Sequence, residues 1–165
     1  MPSTTQAGEP FILFELAGAT YGLRSADIQQ LEMVGAITPV PNAPSFVDGV
    51  VSVRGQVIPA INLRTRFGFP RAELDIRSRL LVVRTGGRTV GLIVDSAREF
   101  ASIDPASVQP PPEAVTGLNG RYLEGMAHLG ERLVLVLNAG ELVDPDTIDP
   151  SLEASPADGR GEPQP

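Results

Sequence analysis

Gly49-Val-Val-Ser-Val-Arg54-Gly55-Gln-Val-Ile-Pro59-Ala-Ile-Asn62-Leu63 is the stretch that decides how this chain folds. Two apolar, β-branched runs, Val50 to Val53 and Val57 to Ile61, flank a single Arg-Gly step. Glycine reaches the positive φ that a tight hairpin connection demands, so the runs are predicted to fold back as antiparallel strands. Arg54 then stands at or near the turn, in water rather than in the core. Pro59 cannot donate a ladder hydrogen bond, which places its run at a sheet edge or a bulge. A hairpin presenting one lone guanidinium suits holding another protein better than it suits chemistry.

Upstream, residues 1–9 read as a frayed, flexible lead-in. Phe11 to Leu16 is a mostly apolar strand, Ala17 to Thr20 a turn, and Tyr21-Gly22-Leu23 a resumed extended run. Ser25 to Met33 admits two readings: a short helical turn N-capped by Ser25, or a strand from Ile28. One turn followed by a strand fits best. Ile37 to Val40 follows, and Pro39, Pro41 and Pro44 punctuate a loop into the central hairpin.

Downstream, Arg64 to Gly68 suggests a short helix with Gly68 as its C-terminal cap. Residues 69–78 are a polar connection. Arg79 to Thr85, Gly86-Gly87 and Arg88 to Asp95 spell strand, two-residue turn, strand; no Gly-Lys-Ser/Thr follows, so the glycines are not a phosphate loop. Ser96 to Ile103 continues extended, and residues 104–120, with Pro105 and Pro110 to Pro112, form a long loop. A third hairpin joins Tyr122–Leu129 to Arg132–Leu137 around Gly130-Glu131, and Ala139 to Val143 closes as a helical turn. Residues 144–165 read as a disordered, acidic, Pro-rich tail. Nine or ten short strands with frequent turn signals describe an all-β barrel or sandwich.

At 165 residues and 42% hydrophobic content, the chain suits one domain or two small barrels with a real core. With no Trp and 5% aromatics, that core must be built from Val, Leu, Ile and Ala. The net charge of −7 is concentrated in the tail, leaving residues 1–143 nearly neutral. A neutral core lacks the basic footprint that nucleic-acid binding needs. Zero Cys removes disulfides, thiolate zinc sites and a Cys nucleophile, and suits a reducing cytoplasm. No signal peptide and no apolar run of about 20 residues is present, so no membrane insertion is expected. His128 is the lone histidine, and Asp27, Asp48 and Asp95 lie in turn-like places where they serve the backbone. No catalytic spacing or cofactor fingerprint stands out, so neither an enzyme nor a cofactor is expected.

The order of the motifs resembles the CheW-like adaptor family of bacterial chemotaxis, over about Phe11 to Val143. The landmarks are the surroundings of Leu13, Tyr21-Gly22-Leu23, Ile28-x-x-Leu31, Ile37-Thr-Pro-Val-Pro41, Pro44-x-x-Val-x-Gly49-Val50, Arg54-Gly55-x-Val-Ile-Pro59, Asn62-Leu63, Val90-Gly91-Leu-Ile-Val-Asp95, Pro110 to Pro112 and Tyr122-Leu-x-Gly125. The resemblance implies two small five-stranded SH3-like barrels with a hydrophobic groove between them. The first would span about residues 11–77 and the second about 78–143, with strand exchange between them allowed. It implies a cytoplasmic adaptor that couples a chemoreceptor's cytoplasmic tip to the regulatory domain of a CheA-type histidine kinase in arrays at the inner membrane. The alternative is an adaptor of a non-flagellar chemosensory pathway with a dedicated kinase. A chain that begins at Met1 and carries no kinase or receiver motif favours a free-standing adaptor over a fragment of either.

The resemblance also assigns partner-binding surface. Arg54, Gly49, Ile28, Gln30, Leu31 and Glu32 would lie on or near it, and Gly91, Ala97 and Phe100 would line the inter-barrel side. Four positions depart from the family pattern: Gln30 stands for a frequent Glu, Asn62 and Asn138 for Asp, and Ser52 for Asn. If the family's Glu supports an ion pair with Arg54, that pair is missing here or supplied by Glu32, which shares a strand face with Gln30.

Overall fold

Turn chemistry fixes the three central hairpins of the structure, a computed structural model described over residues 8–111 and 122–143. β4 (Val47–Val53) and β5 (Gln56–Asn62) join through Arg54 at φ 51° and Gly55 at φ 83°. β6 (Arg79–Thr85) and β7 (Arg88–Val94) join through Gly86 and Gly87, both at positive φ. β9 (Leu123–Leu129) and β10 (Arg132–Leu137) join through Gly130-Glu131. β1 (Glu9–Leu16) pairs with β2 (Ala19–Arg24), while β3 (Ile28–Met33) and β8 (Ser96–Ile103) are edge strands. The expectations for residues 1–7, for Pro112 to Gly120 and for the tail lie outside the described residues.

The ten strands form two five-stranded SH3-like barrels. Barrel A has the order β8-β1-β2-β10-β9, and barrel B the order β3-β6-β7-β5-β4. A cut at residues 77/78 would therefore pass through barrel B, and the sequence boundaries need correction. The allowed strand exchange is complete: each half of the chain gives its first hairpin to the other half's barrel. The reason is steric. β6 and β5 occupy both edges of β7, so β8 cannot pair beside it and crosses to barrel A through the single residue Asp95.

The two barrels repeat one plan. β2 runs parallel to β10 with Gly22 opposite Val136, and β7 runs parallel to β5 with Gly91 opposite Ala60. After each parallel contact an asparagine caps a short helix. Asn62 Oδ1 accepts from Thr65 N at 3.1 Å in α1 (Leu63–Arg66), and Asn138 Oδ1 accepts from Glu141 N at 3.1 Å in α2 (Ala139–Val143). Gly68, at φ 86°, follows α1 as expected. At the other turn, Ser25–Asp27 is a 3-10 turn, but its cap position is Arg24 and no side chain caps it, so Ser25 is not the N-cap.

Pro59 also sits differently from expectation, because β5 is an interior strand. Val50, its partner on β4, exchanges both backbone bonds with Thr38 at 2.9 Å. By the alternation of antiparallel bonds, Pro59 therefore turns its nitrogen away from β4. On that side the ladder with β7 starts only at Ala60, so no bond is lost.

Three apolar clusters hold this arrangement. Phe11, Leu13, Ile103, Ala127, Val134 and Val136 fill barrel A. Val51, Ile58, Ala60, Leu80, Val82 and Ile93 fill barrel B. The largest cluster draws on both barrels, among others Ile12, Phe14 and Leu137 with Leu81, Val83 and Leu92. Each fully buried Leu, Ile or Phe contributes about 1.5–3 kcal/mol, so the barrels share one wall. Arg66 rivets it, its guanidinium 4.2 Å from the Phe46 ring centroid and 5.2 Å from that of Tyr122. Among the described residues, no helix is long and apolar enough to cross a membrane.

Candidate functional site

Arg54 occupies the tip of the β4–β5 hairpin in a left-handed conformation that costs a side-chain-bearing residue about 1–2 kcal/mol. Its side chain is 73% exposed. Nε donates to Gln30 Oε1 at 2.9 Å and lies 3.5 Å from Glu32 Oε2. Gln30 pairs with Val82 and Glu32 with Leu80, both members of the barrel B core, so the two polar side chains share the inner face at the barrel's rim. The expected contact with Glu32 is present alongside one with Gln30. β3 and β4 end the sheet without bonding to each other. A pocket between them is lined by Glu32, Met33, Ala36, Val51, Arg54 and Leu80.

The remaining positions divide. Leu31 stands opposite Leu81 and Phe100 opposite Ile12, so both lie on the inter-barrel faces; both are exposed, Phe100 at 67%. Ile28 is half-buried and packs on the shared wall, and Ala97 is buried within it. Gly91 corrects the expectation. Val90 and Leu92 join the shared wall, and strand alternation turns Gly91 into barrel B, where an added Cβ would lie 2.7 Å from Leu80 Cδ1. Gly49 is buried at φ 147°, and a Cβ there would collide with the Thr38 carbonyl. It shapes the hairpin from within and does not offer contact surface.

Barrel A carries a counterpart of the Arg54 junction. Glu99 on edge strand β8 receives Arg132 from the β9–β10 hairpin through two hydrogen bonds, Nη1 to Oε1 at 2.8 Å and Nη2 to Oε2 at 2.6 Å. The Glu99 carboxylate raises the pKa of Arg132.

Sequence reading missed a second ionic feature. Asp95, the crossover between the barrels, takes Arg64 Nε and Nη2 at 2.9 Å each and the Ala17 N–H at 2.9 Å. Its own N–H reaches Glu15 O at 3.0 Å, and Arg64 Nη1 also donates to Pro70 O. One carboxylate thus ties the β1–β2 turn of barrel A to α1 of barrel B. Burial pushes the Asp95 carboxyl up, but the Arg64 hydrogen bonds and the Ala17 N–H outweigh it and hold the pKa below the ordinary range. Arg24 similarly gathers Glu124 and Glu9 beside the Phe11 ring. Among the described residues no group of three or more His, Cys, Asp or Glu could hold a metal ion.

Comparison with known proteins gives a consistent picture. The model of the CheW-like domain family matches residues 10–146. Chemotaxis protein CheW of Klebsiella aerogenes is 30% identical over 141 residues, covering 86% of this chain and 85% of that protein. Protein FrzA of Myxococcus xanthus is 31% identical over 104 residues, covering 63% of this chain and 65% of that one. The crystal structure of the scaffolding protein TtCheW from Thermoanaerobacter tengcongensis matches with a TM-score of 0.74 at 33% identity, covering 79% of this chain and 89% of that chain.

Proposed function

The chain belongs to the CheW-like domain family, and on that premise we propose that it is a chemosensory adaptor that couples a chemoreceptor's cytoplasmic tip to a CheA-type histidine kinase. The observation that carries this reading is Arg54: an exposed guanidinium held in a left-handed turn on a rigid hairpin, beside a pocket between the two end strands of the sheet, β3 and β4. A residue held against its backbone preference at a surface points to a role for its side chain. Leu31 on β3 and Phe100 on β8, both exposed and apolar, each offer further contact surface for a partner. The protein would work by position. Two surfaces on barrels that share a wall hold receptor and kinase at fixed separation, and multivalency turns weak contacts into a stable assembly.

The test is reconstitution with purified components: the full chain, the kinase regulatory domain and a receptor cytoplasmic fragment from the same organism. The expected outcome is binding of each alone and a ternary complex by size-exclusion chromatography with light scattering. Arg54→Ala should weaken one of the two partners about tenfold, a loss of ~1.4 kcal/mol, without lowering the melting temperature. Binding of neither partner by a folded chain would overturn the adaptor reading.

A further inference from the structure

The two barrels close an equivalent junction with different chemistry. In each, the edge strand bulges at the same point against the neighbouring hairpin. Ile28 opposite Val83 is followed by Gln30 opposite Val82, and Ala97 opposite Phe14 is followed by Glu99 opposite Leu13. Gln30 and Glu99 are thus matching residues, each the first past its bulge and each bonded to an arginine of the far hairpin, Arg54 in its turn and Arg132 as the first residue of β10.

In barrel A the guanidinium fork is fully engaged, because Arg132 spends Nη1 and Nη2 on the two oxygens of Glu99. In barrel B the partner is a neutral amide, and Arg54 reaches it through Nε alone. The nearest carboxylate, Glu32, is 3.5 Å from that same nitrogen. Among the described residues, neither Nη1 nor Nη2 of Arg54 makes a hydrogen bond. A guanidinium fork matches a carboxylate in bidentate geometry, and such charge-assisted pairs are about twice as strong as neutral ones. The apolar Met33, Ala36, Val51 and Leu80 beside it would be covered by a docked protein, lowering the local dielectric and strengthening the pair.

We propose that Gln30 sets the partner specificity of this adaptor by leaving the Arg54 guanidinium open to a carboxylate on the docking protein. A glutamate at position 30 would hold Arg54 internally, as Glu99 holds Arg132, and the partner would have to displace it. Glu32 disfavours diffuse polyanions such as nucleic acid, because a second charge stands within 4 Å of the cation. A single side-chain carboxylate, directed at the two terminal nitrogens, is the group that fits. The inference rests on the adaptor reading above and specifies the chemistry of one of its contacts.

The experiment measures affinity of the full chain for the purified kinase regulatory domain and for the receptor fragment, at about 0.05 M and about 0.5 M salt, which differ in screening length. Variants are Gln30→Glu, Gln30→Ala and Arg54→Asn, the last because asparagine tolerates the left-handed turn. Both positions lie at the barrel rim, so the Gln30 variants should melt with wild type and Arg54→Asn should melt no lower. For the partner that docks at this edge, Gln30→Glu and Arg54→Asn should each weaken binding about tenfold at low salt and less at high salt. Gln30→Ala should leave affinity within about twofold, since Arg54 stays open. Wild-type binding that Gln30→Glu leaves unchanged or tightens overturns this inference alone. Equal losses in Gln30→Ala and Gln30→Glu also overturn it, by making Gln30 itself the contact. Wild-type binding to neither probe overturns the adaptor reading and this inference with it.

Discussion

Barrels A and B share strand order, a parallel contact behind a glycine-bearing hairpin, an asparagine-capped helix and a backbone bridge laid across a second glycine. Gly49 lies under Thr38 in barrel B, and Gly125 lies under Gln109 in barrel A. At the rims the likeness ends. Barrel A seals its edge with a bidentate ion pair, whereas barrel B leaves an arginine half-engaged beside a pocket. Close packing permits few solutions, so the interior features occur twice. Rim charges are solvated and worth little to stability, so there the barrels are free to differ and to carry function.

The largest effect that would test this comparison is at the paired glycines. Gly49→Ala should cost about 3–5 kcal/mol in urea unfolding, because the new methyl meets the Thr38 carbonyl and φ 147° is strained for alanine. Gly125→Ala should cost less, about 2 kcal/mol, since its Cβ would lie 2.6 Å from Gln109 O without that backbone strain. Equal losses would mean that the two crossings are not ranked by backbone strain.

A middle-sized effect concerns Asp95, the carboxylate that ties barrel A to barrel B. Asp95→Asn should lose about 1 kcal/mol at neutral pH, discounted because both partners are partly exposed. The folded-state pKa lies below its unfolded value, so the stabilisation is complete above the ordinary carboxyl range near pH 4 and is lost as pH falls through the depressed value. Unfolding at pH 7, 5 and 3 should therefore show wild type and variant converging only at the lowest pH. A constant gap would assign the effect to packing instead of charge.

The smallest effect sharpens the contrast at the rims. Arg54→Asn should raise stability by up to about 1 kcal/mol, because asparagine accepts the left-handed turn more readily. Glu99→Gln, which converts the barrel A junction to an amide like that of barrel B, should leave the melting temperature unchanged within error. A large loss in either variant would show that the rims carry the fold.

Short-range features of this structure were legible in the sequence, and relations between distant segments were not. Gly55, Gly86-Gly87 and Gly130 mark their turns within a window of four residues, and the alternation of Gln30 and Glu32 on one strand face follows from the pleat. The assignment of hairpins to barrels depends on which edges of β7 are already occupied, which no local window contains. The inter-barrel place of Gly91 was implied by the resemblance, and periodicity could not correct it because β7 is apolar on both faces. The surface place of Gly49 was likewise implied by the resemblance, and no local signal opposed it because the segment at Thr38 that covers it arrives from a loop. The Asp95 tie was hidden by separation: Arg64 is 31 residues away and Ala17 is 78. The only local signal was an aspartate ending an apolar run, which is equally what a turn would show.

The exchange of hairpins has a consequence for the order in which the protein can be made. Barrel B is continuous in sequence from β3 to β7, so every strand it needs has been synthesised once the ribosome passes Val94. The hairpin of β1 and β2 emerges first yet must wait for β8 to β10, which end at Leu137. Until then its apolar face, from Phe11 to Leu23, has no partner strands and is exposed to the aggregation that unpaired edges invite. Barrel B, whose strands are complete first, would then offer its half of the shared wall to the waiting hairpin before barrel A closes.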